Sequence, residues 1–184
     1  HEESILMSGK AKVAVETMDE PQMLAELVAL IGEQNVLAGS LVKRAYDCDA
    51  YSVDKSPPSC VVMPTDTLLV QAVVDWCVQN EVPFTPRGAG TGLSGGAMPA
   101  KGGVVISTKR MTQILEIDHE NRCLKAQSGA VNLRLTDASR PFGLHFAPDP
   151  SSQTGCTCLL YTSDAADDLR CVDLGGRCSI KKKT

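Results

Sequence analysis

Eleven consecutive residues, Pro86-Arg87-Gly88-Ala89-Gly90-Thr91-Gly92-Leu93-Ser94-Gly95-Gly96, concentrate the binding chemistry of this chain. Five of them are glycine, two carry hydroxyls and one is arginine. Glycine reaches positive φ and has no Cβ, so successive N–H groups can turn inward into a nest for an anion. Arg87 adds a permanent charge and a fork of donors that fits phosphate. The combination points to a diphosphate cradle. Glycine is also the ordinary turn residue, so from this stretch alone a flexible turn between two strands remains open.

Gly90-Thr91-Gly92-Leu93-Ser94-Gly95 meets the Gly-x-Gly-x-x-Gly pattern to the letter. That pattern marks a Rossmann dinucleotide site only when a strand precedes it and a helix follows. Here Ala97-Met98-Pro99-Ala100-Lys101-Gly102-Gly103 follows, which cannot form that helix, and a further strand is predicted at Val104-Val105-Ile106-Ser107. Glu116 lies about 20 residues past the motif, where a ribose-binding acid would sit, but without the helix its spacing is coincidence. No Gly-Lys-Ser/Thr closes the loop, so it is not a P-loop. Without a helix dipole, the anion must be held by nested N–H groups and Arg87.

The elements that position this loop are legible on both sides of it. Asp19-Glu20-Pro21 has the acidic cap and early proline of a helix start, and Leu24, Leu27, Val28, Leu30 and Ile31 continue it as an apolar stripe to Gly32. Residues 1–18 show no sustained periodicity and read as a loose leader, and residues 38–59 read as irregular. Within the latter, Asp47, Asp49 and Tyr51 are expected on a surface loop. Cys60-Val61-Val62-Met63-Pro64 reads as a short buried strand. Thr65 or Thr67 then caps a helix from Leu68 to Gln79 with Leu69, Val73, Trp76 and Cys77 on one face. Val82–Pro86 is the strand entering the glycine loop. Beyond it, Ile114–Asp118 and Cys123–Gln127 flank His119-Glu120-Asn121 as a hairpin. Asn132–Arg140 reads as a helix stopped by Pro141, with Leu133 and Leu135 in the core, and 143–157 as a second loop rich in Pro and Ser. His145 in that loop reads as a packing or surface residue, since nothing near it in sequence would orient it as a base.

Composition restricts the function classes. The 184 residues are 43% hydrophobic and 22% charged, as in an ordinary globular chain of one domain or slightly more. A net charge of −4 and only 4% aromatic residues argue against a nucleic-acid partner. No apolar run approaches the roughly 18 residues of a membrane span, and no signal peptide is visible at His1-Glu2-Glu3-Ser4. The eight cysteines form no Cys-x-x-Cys pair and there is no histidine cluster. Zinc is therefore not expected, and the cysteines read as reduced thiols in a cytoplasmic protein.

The glycine loop, Arg110-Met111, Ile114-Leu115-Glu116-Ile117-Asp118 and Ala147-Pro148-Asp149-Pro150-Ser151-Ser152 together closely resemble FAD-linked 2-hydroxy-acid oxidoreductases. The nearest types are the D subunit of glycolate oxidase and the flavin-dependent D-lactate dehydrogenases. The resemblance covers about residues 20–157. It implies an α+β fold, the N-terminal part of a two-lobed PCMH-type (vanillyl-alcohol-oxidase-like) FAD-binding domain, here spanning residues 19–157 and truncated. It implies that Arg87, Gly88, Ala89, Gly90, Thr91 and Gly92, with Ser94 and Gly95, wrap the FAD diphosphate. It also implies that Pro148, Asp149, Ser151 and Ser152 line the flavin from the second lobe, where the residues alone allow a Pro-Ser turn, and that Gly155 and Cys156 begin the next flavin-contacting segment. The implied partners are a small 2-hydroxy acid, glycolate or D-lactate, and electron-acceptor subunits that could hold a cytoplasmic protein at the inner membrane. No residue in the chain is identified as the catalytic base, and the family's catalytic histidines and metal belong to a later domain. The alternatives are another PCMH-type flavoenzyme, such as a reductase, and a non-catalytic remnant that is inactive alone.

The resemblance ends after Thr157, where such proteins continue into a Gly-Gly-Asn run. Cys158-Leu159-Leu160-Tyr161-Thr162-Ser163 instead fits the codons TGT CTC TTA TAC ACA TCT and, with Asp164–Asp168, resembles a translated transposon-type sequencing adapter. Val172–Arg177 fits the reverse complement of an amplification primer. Residues 158–184 are therefore expected to be adapter translation rather than evolved protein, with a genuine polar tail as the alternative.

Overall fold

The computed structural model describes residues 18–146, 154–158 and 177–182. Helix α1 (Glu20–Ile31) starts after Asp19, with Pro21 in its first turn, and ends at Gly32. Its buried face is Met23, Leu27 and Ile31, spaced four residues apart, while Leu30 turns outward at 40% exposure. Strand β1 (Val36–Leu37) follows where no element was expected, and the stretch 38–59, expected to be irregular, contains the short helix α2 (Ser40–Ala45). Each is too short for periodicity to reveal it, and α2 buries no residue. Lys43 on α2 forms an ion pair with Glu20 at 2.6 Å, fastening α2 to the start of α1.

Strand β2 (Cys60–Val62) leads into α3 (Thr67–Gln79). The cap is Asp66 rather than either threonine: its Oδ1 accepts the Leu69 N–H at 3.0 Å. A carboxylate there also meets the positive end of the helix dipole. Strand β3 (Phe84–Arg87) and strand β4 (Val104–Ser107) follow. The first sheet has the order β1-β2-β4-β3, with β2 and β3 both parallel to the central β4 and β1 antiparallel on β2. Cys60, Val62, Val104 and Ile106 pack beneath α1 and α3 with Val73, Cys77 and Val82. Val61 and Val105 face the other way and are equally buried, as expected of parallel strands covered on both faces. Burial pushes the Cys60 thiol up to about 12 and the Cys77 thiol up to about 11.

The second lobe begins with the expected hairpin, β5 (Ile114–Asp118) and β6 (Cys123–Ala126), paired antiparallel. Asp118 builds its turn by accepting the backbone and side-chain N–H groups of Asn121 at 2.9 and 2.7 Å. These hydrogen bonds hold its carboxyl below the usual carboxylate range. Helix α4 (Asn132–Ser139) places Leu135 in the core with Leu124, Leu144 and Phe146, while Leu133 is half-buried. The stretch expected to be a loop from 143 contains strand β7 (Leu144–Phe146). Strand β8 (Arg177–Lys182), within the segment read as adapter-derived, lies between β6 and β7, giving the order β5-β6-β8-β7. Of the expected leader, only Met18 is described, and it packs on the first core.

Trp76, the chain's only tryptophan, reports on this core. Its Nε1–H donates to Glu26 of α1 at 3.0 Å, so the indole reads the contact between α1 and α3. Leu27 is fully buried against that contact. Leu27→Ala is expected to cost about 2–5 kcal/mol, measured by denaturant unfolding followed through Trp76 emission.

Candidate functional site

The glycine loop leaves the carboxyl end of β3, beside the carboxyl end of β4, where open α/β sheets place their ligands. Arg87 is the last residue of β3, in register with Ser107 of β4, and only 9% of it is exposed. Its side chain runs back across the loop instead of outward. Nη1 donates to the Cys48 carbonyl at 2.6 Å, and the guanidinium lies 5.2 Å from the centroid of the Tyr46 ring. Gly90 makes that path available: at φ +74° it has no Cβ, and one would stand 2.3 Å from Arg87 Nη2. Among the described residues Arg87 makes no ion pair. A buried guanidinium held by one carbonyl and one ring is electrostatically incomplete.

The remaining loop residues are arranged around it. The N–H groups of Gly88, Gly90, Thr91 and Gly92 donate to nothing among the described residues. Ala89 N–H donates to Thr157 Oγ1 at 3.3 Å, and the Gly92 carbonyl accepts from Ala50 N–H at 3.1 Å. Leu93 and Ser94 form the exposed tip, and Gly95 C=O closes a turn with Met98 N–H. On the neighbouring strand end, the hydroxyls of Ser107 and Thr108 are buried and find no partner among the described residues. Orphaned buried hydroxyls call for a ligand or water. Four N–H groups, a buried cation and two buried hydroxyls, all without partners among the described residues, together fit a polyanionic cofactor with polar neighbouring atoms.

Of Asp47, Asp49 and Tyr51, expected on a surface loop, Tyr51 is exposed and Asp47 half-buried, but Asp49 is buried, and segment 46–51 is laced to the glycine loop. Besides the Arg87 contacts of Tyr46 and Cys48, Asp49 is only 7% exposed; it accepts Tyr51 N–H at 2.8 Å and Ala97 N–H at 3.4 Å. The Tyr51 ring lies against Gly95. Sequence reading missed these residues because their partners lie about forty or more positions away, beyond any local pattern. The acidic, turn-prone composition was the available signal, and solvation was the wrong reading of it.

The second lobe reaches the loop through Thr154–Cys158. Asn132 N–H donates to the Cys156 carbonyl at 3.1 Å and Cys158 N–H to the Ala130 carbonyl at 3.0 Å, so the segment pairs with the start of α4. That pairing holds Thr157 against Ala89. Cys156 is buried and Gly155 exposed. Pro148, Asp149, Ser151 and Ser152 lie outside the described residues. His145 sits half-buried on β7, its Nδ1 buried without a partner among the described residues, as a packing residue would be. A cavity of about 520 Å³ lined by Thr112, Gln113, Ile114, Arg134 and Ala138 shares no residue with the glycine loop.

Parallel strands β2, β4 and β3 with a glycine-rich return loop at their carboxyl ends, joined to an antiparallel lobe, define a PCMH-type flavin-binding fold. The "FAD binding domain" family model matches residues 58–159, and the chain belongs to that family. FAD is the cofactor of this domain. The "Glycolate oxidase subunit GlcD" of Escherichia coli (strain K12) is 34% identical over 172 residues, 94% of this chain and 34% of that protein. The "D-lactate dehydrogenase" of Anaerostipes hadrus is 38% identical over 134 residues, 72% of this chain and 28% of that protein. An alkyldihydroxyacetonephosphate synthase structure superposes with a TM-score of 0.70 at 21% identity, covering 78% of this chain and 29% of that one. The chain thus spans about a third of the curated relatives it matches. Among the described residues no helix is long and apolar enough to cross a membrane.

The lobes meet where backbone touches backbone. A Cβ on Gly129 would lie 1.9 Å from the Thr108 carbonyl oxygen and 2.8 Å from that of Met111. Gly129 N–H also donates to the Met111 carbonyl at 2.9 Å, so neither side can yield cheaply. Gly129→Ala is expected to destabilise the domain by about 1–3 kcal/mol or more, read as a lowered thermal midpoint.

Proposed function

We propose that the protein to which this chain belongs oxidises a small D-2-hydroxy acid, glycolate or D-lactate, to the 2-oxo acid. When bound, FAD supplies the two-electron redox chemistry, and the protein binds, orients and tunes it. The observation that carries the reading is the buried Arg87, without an ion pair among the described residues, beside four N–H groups that donate to none of those residues. That set answers the charge and acceptor oxygens of a diphosphate. Gly88, Ala89, Gly90, Thr91 and Gly92, with Ser94 and Gly95, form the cradle. The segment carrying Pro148, Asp149, Ser151 and Ser152, continuing into Gly155 and Cys156, supplies the opposing wall; the Thr157–Ala89 bond supports this. Similarity to a glycolate oxidase subunit and to a D-lactate dehydrogenase supports the substrate class.

In the full-length protein, Arg87→Ala is expected to weaken FAD by about 1.5–3 kcal/mol, the range for a charged hydrogen bond. Flavin fluorescence titration reads it, and unchanged affinity would remove Arg87 from the diphosphate site. Turnover of glycolate or D-lactate by the same preparation tests the substrate class, and tight flavin binding with neither acid oxidised would redirect it.

The assignment of 158–184 to adapter translation is likewise ours, and it rests on codon fit. Sequencing the genomic locus checks it: the codons after Thr157 are expected to depart from this sequence. A natural gene encoding Cys158–Thr184 would sink the idea.

A further inference from the structure

We infer that segment 46–51 is a clasp that sets the shape of the glycine loop, with Asp49 as its principal positioning residue. The inference rests on the FAD reading for its functional consequence, but its structural part stands separately.

Within Tyr46–Tyr51, Tyr46 and Cys48 contact Arg87, Ala50 contacts Gly92, Asp49 contacts Ala97 just past the loop, and the Tyr51 ring stands near Gly95. Tyr46 lies beside the Arg87 guanidinium and Cys48 C=O accepts from it, fixing the entry to the loop. Ala50 N–H holds the Gly92 carbonyl at the middle. Tyr51 covers Gly95, and Asp49 takes the Ala97 N–H at the exit. Entry, middle and exit are therefore tied to one short stretch. A glycine-rich loop has the largest conformational entropy to lose on ordering. Binding a diphosphate to a disordered loop would carry that cost; a loop already held does not. By accepting Ala50 N–H and leaving four neighbouring N–H groups unused, the loop is also kept from closing on itself.

Asp49 is singled out because its carboxylate performs both halves of the task. Oδ1 accepts Tyr51 N–H at 2.8 Å and shapes the clasp, while Oδ2 accepts Ala97 N–H at 3.4 Å and grips the loop. A buried carboxylate is retained only where such donors meet it. Removing it leaves two N–H groups unsatisfied and releases the loop's exit without touching the cofactor-facing N–H groups.

The test uses the full-length protein stripped of flavin. Hydrogen exchange is measured on peptides spanning 88–98 and, as an internal control, on α3, together with FAD affinity by fluorescence titration. In Asp49→Ala, exchange in 88–98 is expected to quicken while α3 is unchanged, with FAD affinity falling about tenfold. Asp49→Asn has one acceptor oxygen in place of two, so it is expected to fall between wild type and Asp49→Ala in both readouts, and it serves if the alanine variant does not fold. Unchanged exchange in 88–98 would overturn the clasp, as would faster exchange with unchanged FAD affinity. Equal acceleration in α3 would reduce Asp49 to a general stability residue. Wild-type protein showing no saturable FAD binding would instead overturn the cofactor reading, with the exchange comparison still deciding whether the clasp exists.

Discussion

A buried guanidinium with no carboxylate beside it among the described residues is the constraint around which this domain is arranged. Removing an ion from water carries a penalty of several kcal/mol even after relaxation. The Cys48 carbonyl and the Tyr46 ring offset part of it, the ring by roughly 0.5–2 kcal/mol. Those contacts are available only because Gly90 offers no Cβ to block the side chain. An anion bound beside Arg87 would offset the remainder, and its occupancy would then be linked to the stability of the loop. Arg87 therefore connects the strand that ends in it, the loop that passes over it and the distant segment beside it.

The topology explains why no helix follows the glycine loop, so that a nucleotide bound there would meet a nest of N–H groups in place of a helix N-terminus. Strand β4 is inserted between β2 and β3, so the chain leaving β3 must return to the start of its immediate parallel neighbour. Parallel neighbours need a crossover of a dozen or more residues, usually a helix. Here residues 88–103 make the return without one, and α3 has already been spent crossing from β2 to β3. No helix N-terminus faces the loop from within this connection. The positive potential must come from individual N–H groups and from Arg87. An irregular return of that length also carries backbone groups that would otherwise go unpaired, and segment 46–51 and Thr157 satisfy several of them.

What could be read in the sequence was what is encoded locally. The hairpin at 114–126 follows from two apolar runs around an Asp/Asn turn, and α1 from its early proline and apolar stripe, although Asp19 makes no side-chain capping bond. The Rossmann reading failed on the missing helix, and the parallel β3–β4 pair without a helix between them bears this out. The resemblance carried the cofactor. The errors concern features decided by distant partners or by competition between adjacent candidates. Asp66 outcompetes Thr65 and Thr67 as the α3 cap because its carboxylate reaches Leu69 N–H. β1 owes its existence to pairing with β2, and α2 is held by the Lys43–Glu20 ion pair. Asp49 looked like a solvated turn residue because nothing within ten positions reveals Ala97.

The same distinction bears on how the two lobes make one site. The first lobe can build the glycine loop from its own residues, since entry, middle and exit are held by 46–51. The second lobe reaches that loop through Thr157, which is positioned by pairing with residues 130–132 beside the Gly129 contact. Seam and loop are thus joined by one run of hydrogen bonds, from residues 130–132 beside Gly129 through Thr157 to Ala89. The glycine loop is tied through segment 46–51 to its own lobe and at Ala89 to the other. In a flavoenzyme that coupling would make the grip on the diphosphate depend on the packing of the wall opposite it.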